Sequence, residues 1–468
     1  MSRRPRPTPP ARIGRRVVLA RAAGLAAAGL AIDKVGTERL LAAVQRAAPA
    51  VDWLWSGAIT PGSARIRARV TVDGPVRALV TRADGRDAAS PKIVATTGPP
   101  STDGVHTFDA DGLQPDTGYH YAIETAAGRD ERVGKFRTFG DGPFSFAFAF
   151  GSCASTGSNN LIFDTMRQRT PHFFLHLGDF HYANIGIDDP WRFRDASNRV
   201  LRSPRQSALY RDTPIVYVFD DHDFGKDDSD GTSVTKGAAQ RVYRERVPHY
   251  PLPLSTGLGA TPGAGPIGPI AQAFTVGRAR VIVTDTRSER TPQRAADAAS
   301  RTMLGLAQRQ WLVDELTRAA DGKAAVVFWA STVPWITKAI PGTGHGWEPY
   351  ARERAEIAGL VAKLGLTSRL IILSGDAHMA AIDDGTNSNY VQGTAANTRG
   401  PVVVQAAPFS RFPRAKGGPY SHGQSTRNHQ FGWVEVKDTG DALTVHLTCR
   451  NQTGGVIPGL DLTLKPTV

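Results

Sequence analysis

From about residue 144 onward, apolar runs of strand length repeatedly stop at a group of polar residues. Phe144 to Phe150 runs into Gly151-Ser152-Cys153, and Phe173 to Leu177 into Gly178-Asp179-Phe180-His181-Tyr182. Ile215 to Phe219 runs into Asp220-Asp221-His222-Asp223, Arg280 to Thr284 into Asp285-Thr286-Arg287, Ala325 to Trp329 into Ser331-Thr332, and Leu370 to Leu373 into Ser374-Gly375-Asp376-Ala377-His378. Short continuous apolar runs with these boundaries predict buried strands. Between them lie stretches with helical spacing: a helix through Asp164 to Gln168 capped by Asn160, another with Trp311, Leu312, Leu316 and Ala319 on one face, and a third from Glu348 to Leu364. Residues 251–270 are rich in Pro and Gly and predict a long surface loop. Further strands are expected at 402–404, 432–436 and 443–447. Alternating strands and helices with a strand-rich end predict a layered α/β domain over 144–468, with one or two central sheets.

The chain before it reads differently. Ala64-Arg65-Ile66-Arg67-Ala68-Arg69-Val70 alternates polar and apolar residues, as do segments at 76–81 and 118–123, with turn residues at Asp73-Gly74, Asp84-Gly85 and 114–118. Residues 51–140 are therefore expected to form a small β-sandwich, whose 113–121 stretch resembles a fibronectin type III strand. It carries no cluster of catalytic residue types, so a structural cap is the favoured reading over a module that shapes the site entrance.

Residues 1–50 form a leader. Arg15-Arg16 precedes a weakly apolar segment, Val17 to Ile32, which is too short for a stable membrane anchor. Ala48-Pro49-Ala50 offers small residues for cleavage after Ala50. This order of regions predicts export through the twin-arginine (Tat) machinery, which carries folded proteins, to the periplasm, cell wall or exterior. The leader also changes the meaning of the charge. Of the formal +13, the first 50 residues hold +8, and the mild +5 left over argues against a nucleic-acid partner. Two cysteines exclude a disulfide scaffold.

In open α/β sheets, ligands bind beyond the carboxyl ends of the strands. The candidates there are Cys153, Asp179, Tyr182, Asp221 and its neighbours, Asp376 and His378. Thiolate, phenolate and imidazole suit a redox-capable transition metal, phenolate favouring ferric iron, whereas carboxylates suit Ca²⁺, Mg²⁺ or Mn²⁺. Asp179 is placed to bridge two ions, which together would clamp an in-line phosphoryl displacement. Two other routes fail on the sequence. A Cys-x5-Arg phosphatase needs arginine where Asn159 stands, and no Gly-x-Ser-x-Gly elbow surrounds Ser152.

These motifs, in this order, resemble the PhoD-type alkaline phosphatase and phosphodiesterase family of the calcineurin-like metallophosphoesterases, a family that includes some phospholipase D enzymes. The resemblance covers most of the chain: the leader, Trp55-Ser56-Gly57-Ala58-Ile59-Thr60-Pro61, the strand-end motifs, Met303-Leu304-Gly305, Gln310-Trp311-Leu312 and 347–354. It implies a layered αββα fold. It also implies that Cys153, Asp179, Tyr182 and His378 hold Fe³⁺, that Asp179, Asp221 and Asp376 hold Ca²⁺, and that a metal-activated hydroxide cleaves phosphate monoesters or diesters. The chain departs from the pattern in three places. No histidine follows the strand ending at Trp329, Asp221 stands where the superfamily usually has Asn, and Glu348-Pro349-Tyr350 replaces the usual Asp-Gly-Tyr.

Around this core, His222 is the candidate proton donor to the leaving oxygen. His181 is either substrate-facing or a solvated loop histidine. Asp220 and Asp223 are extra ligands or solvated carboxylates. Arg287 is either a phosphate contact or part of a structural ion pair with Asp285. Cys449 is expected in the core, and neither His172 nor His176 as a ligand. The rival readings are a phospholipase D-type or cell-wall-polymer phosphodiesterase, and a non-catalytic surface-binding protein with a vestigial metal site.

Overall fold

The computed structural model describes residues 49–254, 268–295, 300–337, 346–395 and 397–466. The twin-arginine leader and most of the Pro/Gly loop, 255–267, lie outside them. Two sheets form the body of the fold. The first has nine strands in the order Val456–Leu464, Leu443–Arg450, Phe431–Asp438, Phe146–Gly151, Phe173–Leu177, Ile215–Val218, Val51–Gly57, Ser63–Val70, Val105–Asp111. The second has seven, in the order Gln272–Val276, Ala279–Thr284, Val326–Ser331, Leu370–Ser374, Val402–Ala406, Ala380–Asp383, Gln424–Ser425. The central strands of each run parallel, so their carboxyl ends share one edge.

Burial explains the layering. The parallel strands are buried on both faces, as their unbroken apolar runs require. Phe148, Leu175, Val281, Phe328, Ile371 and Val404 belong to the core between the sheets, where Phe148 meets Phe328 edge to face at 5.2 Å. The alternate residues Ile282, Val327, Trp329 and Ile372 turn outward onto Leu312 and Leu316 of helix Gly305–Asp321 and Ile357 and Val361 of helix Ala351–Lys363. Helix Leu161–Gln168, capped by Asn160 Oδ1 accepting from Ile162 N at 2.9 Å, and helix Pro204–Asp212 accompany the first sheet. The result is the expected αββα arrangement. The third helix expected from the sequence begins as a 3-10 turn, Glu348–Tyr350, before turning α-helical.

The early strands make the expected β-sandwich. A five-stranded sheet of Lys92–Ala95, Val76–Arg82, Gly118–Thr125, Gly128–Arg129 and Gly134–Arg137 accompanies Val51–Gly57, Ser63–Val70 and Val105–Asp111. The second group also extends the nine-stranded sheet, through a parallel bridge from Gly57 to Ile215. Fully buried Arg246 reinforces this join, its Nη1 bonding Asp103 at 2.7 Å and its guanidinium lying over Trp53 at 4.7 Å.

Candidate active site

Each strand end delivers its polar residues through a tight loop, and the loops stack on one another. Gly178 has φ +87°, and a Cβ there would meet Asp220 N at 2.6 Å. A Cβ on Gly375 would meet Ser152 Oγ at 2.5 Å. Glycine is needed at both Gly-Asp pairs so that neighbouring loops can approach. Backbone bonds then lock the stack: Ala154 N donates to Asp179 O at 3.1 Å, Gly375 N to Thr332 O at 2.9 Å, and Asp376 N to Ser152 Oγ at 3.0 Å. Cys153, Asp179, Asp376 and His378 all have positive φ, between 50° and 66°, a conformation that strains non-glycine residues and concentrates at functional sites.

Three overlapping groups of donor atoms result, each lying within 4.8 Å: Cys153, Asp179 and His378; Asp179, Asp221 and His222; and Asp220, Asp221 and Asp376. Asp179 joins the first group to the second, and Asp221 the second to the third. Tyr182 completes the first, its hydroxyl donating to Asp179 Oδ2 at 2.5 Å and lying 3.2 Å from His378 Nε2. The residues expected around iron therefore meet. Those expected around the second cation fall into two adjacent groups rather than one.

The donor chemistry fits cations. Asp179 Oδ1 and Asp220 Oδ2 are buried with no hydrogen-bond partner, and such atoms are costly unless something binds them. Burial, then the carboxylates of Asp221, Asp220 and Asp223, push Asp179 well above the usual carboxylate range. Burial likewise raises the Cys153 thiol and the Tyr182 phenol. A bound cation would reverse each of these shifts by favouring the charged form. Thiol, phenol and imidazole on one side and carboxylates on the other match a softer and a harder ion.

Residues 148–451 match a family model described as PhoD-like phosphatase. The chain belongs to the PhoD-like phosphatase family. It is a phosphoric ester hydrolase. The solved structure of PhoD superposes on 90% of this chain and 93% of its own, with a TM-score of 0.67 at 18% identity, so the fold is shared. The sensor domain of the anti-sigma factor RsgI4 from Pseudobacteroides cellulosolvens covers 18% of this chain and 70% of its own, at 17% identity and a TM-score of 0.16. No curated protein matches the sequence.

In this PhoD-like phosphatase, several expected roles change. Arg287 is fully buried and reaches Asp220: its Nε bonds Asp220 Oδ1 at 2.5 Å and its Nη1 bonds Ser229 O at 3.2 Å. Nor does Arg287 form a side-chain pair with Asp285, which accepts from the backbone N–H groups of Ile270, Arg287 and Ser288. Burial opposes the guanidinium's charge, but Asp220 and Asp221 hold it protonated above its ordinary range. Arg287 and His222 in turn hold Asp221 below its ordinary value, against the effect of burial. Arg287→Met should strand Asp220 and cost about 3 kcal/mol or more in urea unfolding.

Asp220 and Asp223 are not solvated. Asp223 accepts from Phe180 N at 2.9 Å, Asp220 N at 2.6 Å and Tyr217 Oη at 2.5 Å, so it ties two site loops together rather than facing a ligand. Where the superfamily histidine is missing, Thr332 Oγ1 donates to Asp220 Oδ1 at 3.0 Å. His181 is not a solvated loop histidine. It is buried beside Phe193, and burial lowers its pKa to about 3. His176 sits among Phe174, Phe180, Tyr217 and Phe409, and Cys449 is in the core. Tyr350 is buried against Arg290 and Thr291.

Three contributors were not anticipated. Lys416 Nζ lies 3.0 Å from Asp376 Oδ1. Arg411 stacks its guanidinium 3.9 Å from the Tyr182 ring. Asn184 Oδ1 accepts from His222 Nδ1. The loop bearing Arg411 is fixed by Ser410 N on Cys153 O at 3.2 Å and Arg414 N on His378 O at 3.0 Å. A run of basic residues after a buried strand was the available signal.

Proposed function

We propose that this phosphatase is an exported, metal-dependent phosphoesterase acting on phosphate monoesters or diesters. Cys153, Asp179, Tyr182 and His378 would hold ferric iron, and Asp179, Asp221 and Asp376 calcium. The observation that carries this reading is the sharing of Asp179 and Asp221 between adjacent donor groups. When bound, such a pair of cations neutralises phosphoryl charge and makes water a competent nucleophile at neutral pH.

The remaining work falls to the chain's own groups. His222 stands beside the carboxylates, its ring 4.1 Å from that of Tyr182. With Nδ1–H committed to Asn184 Oδ1, the Nε2 atom is the one available to carry a proton to the leaving oxygen. Burial lowers the pKa of this imidazole, while the carboxylates of Asp221 and of Asp227, the latter 3.3 Å from Nε2, partly offset that by favouring its proton. Arg411 and Lys416 add positive charge where the substrate's phosphate would bring negative charge.

Metal analysis of protein from the native host, with turnover of p-nitrophenyl phosphate and bis-p-nitrophenyl phosphate, tests the reading. Iron and calcium with hydrolysis of either ester support it. Neither metal and no hydrolysis would overturn it. His222→Gln separates the proton donor from a ligand. It should slow alkyl phosphates about a hundredfold, whose alkoxides need a proton, and p-nitrophenyl phosphate far less, while metal content stays unchanged. For export, mature protein is expected to begin at Val51. Among the described residues, no helix is long and apolar enough to cross a membrane.

A further inference from the structure

One guanidinium beside the donor groups is held in place without using its hydrogen-bond donors. The loop that follows strand Val402–Ala406 is tied down on both sides of Arg411: Ser410 N donates to Cys153 O at 3.2 Å, and Phe412 O accepts from His378 Nδ1 at 2.8 Å. The side chain of Arg411 then lies 3.9 Å from the ring centre of Tyr182. Cys153, Tyr182 and His378 are three of the four residues of the first donor group, so Arg411 stands against that group through its own side chain and through both chain neighbours.

The guanidinium of Arg411 is uncommitted. It makes no hydrogen bond or ion pair with any described residue, and its buried Nε has no partner. By contrast, Arg287 is engaged by Asp220 and Lys416 by Asp376. Contact with a ring face attracts a cation but gives its N–H groups no acceptor, and a buried N–H without one is costly. Two oxygens of one phosphate match the guanidinium fork. Arg411 is also near the candidate acid. Burial chiefly lowers the pKa of both His222 and His378, and the charge of Arg411 adds to the lowering of each.

We propose that Arg411 grips the phosphate of the substrate through its guanidinium fork, and that it thereby favours monoesters over diesters. The assignment rests on the phosphoesterase reading. At neutral to alkaline pH a phosphate monoester carries about two negative charges over three terminal oxygens. A diester carries one, over two oxygens. A positioned cation gains more from the first than from the second. The difference of about one charge-assisted hydrogen bond corresponds to about tenfold in affinity.

The test compares p-nitrophenyl phosphate with bis-p-nitrophenyl phosphate, which release the same phenol but differ in phosphoryl charge. In Arg411→Met, whose side chain can still cover Tyr182, the ratio of kcat/KM for the monoester over the diester should fall about tenfold, with metal content unchanged. Arg411→Lys keeps the charge but not the fork and should fall between Arg411→Met and wild type. Calorimetry on the metal-loaded proteins should show inorganic phosphate bound about tenfold more weakly by Arg411→Met than by wild type. Equal losses on both esters with unchanged phosphate binding would make Arg411 a support for Tyr182 alone, overturning the assignment and leaving the phosphoesterase reading intact. Wild-type protein that cleaves neither ester, yet binds phosphate through Arg411, would keep the phosphate site and overturn the phosphoesterase reading instead.

Discussion

Changing Asp179 to alanine is expected to lower kcat/KM on p-nitrophenyl phosphate by at least about a thousandfold. Asp179 belongs to both the cysteine-containing and the histidine-containing donor groups, so its loss damages both ion positions at once. Removing several kcal/mol of transition-state charge stabilisation corresponds to that factor, at about 1.4 kcal/mol per tenfold. Alanine also sits badly at φ +56°, so Asp179→Asn is the companion variant. Asparagine tolerates that conformation but brings no negative charge. Both variants should be inactive, and both should lose bound metal. Full activity in either would contradict the mechanism.

Stripping the metals should abolish activity and also change how stability depends on pH. Burial raises Asp220 and Asp223 to about 7 and Asp179 well above its ordinary value. A carboxyl whose pKa is raised by folding holds its proton more tightly folded than unfolded. It therefore favours the folded state at low pH, and that contribution is lost as pH rises from about 4 through about 7. Asp221, held low by Arg287 and His222 against the effect of burial, acts in the opposite sense and loses its contribution only at more acidic pH. The chelated protein should therefore melt at progressively lower temperature between pH 5 and pH 8. Restoring cations should raise the melting temperature by on the order of 5 °C at a thousandfold excess over Kd, most at the alkaline end. Scanning calorimetry on chelated and reloaded protein would measure this, and a chelated protein whose melting temperature climbs with pH would refute it.

The sheets were legible because burial on both faces leaves an unbroken apolar run, and Gly178 and Gly375 mark where each run must turn beside another loop. The donor residues followed from their position just after those turns. Other features were hidden because they depend on partners far apart in sequence. Nothing in the spacing places Arg287 on Asp220, Lys416 on Asp376 or Asn184 on His222. His181 looked available because it follows a ligand motif, yet the loop carries its side chain inward, against Phe193. The order of strands in the first sheet was hidden for the same reason. Phe431–Asp438 pairs with Phe146–Gly151 across almost three hundred residues, and local periodicity does not record such pairings.

The left-handed backbone at Cys153, Asp179, Asp376 and His378 has an evolutionary consequence. Each of these positions would be more comfortable as glycine or asparagine, so a search that rewards heat resistance alone should accumulate replacements there. Those survivors would be hardy and inert. Selecting the same library for turnover should drive these four codons back, making them the sharpest point of conflict between durability and work in this chain.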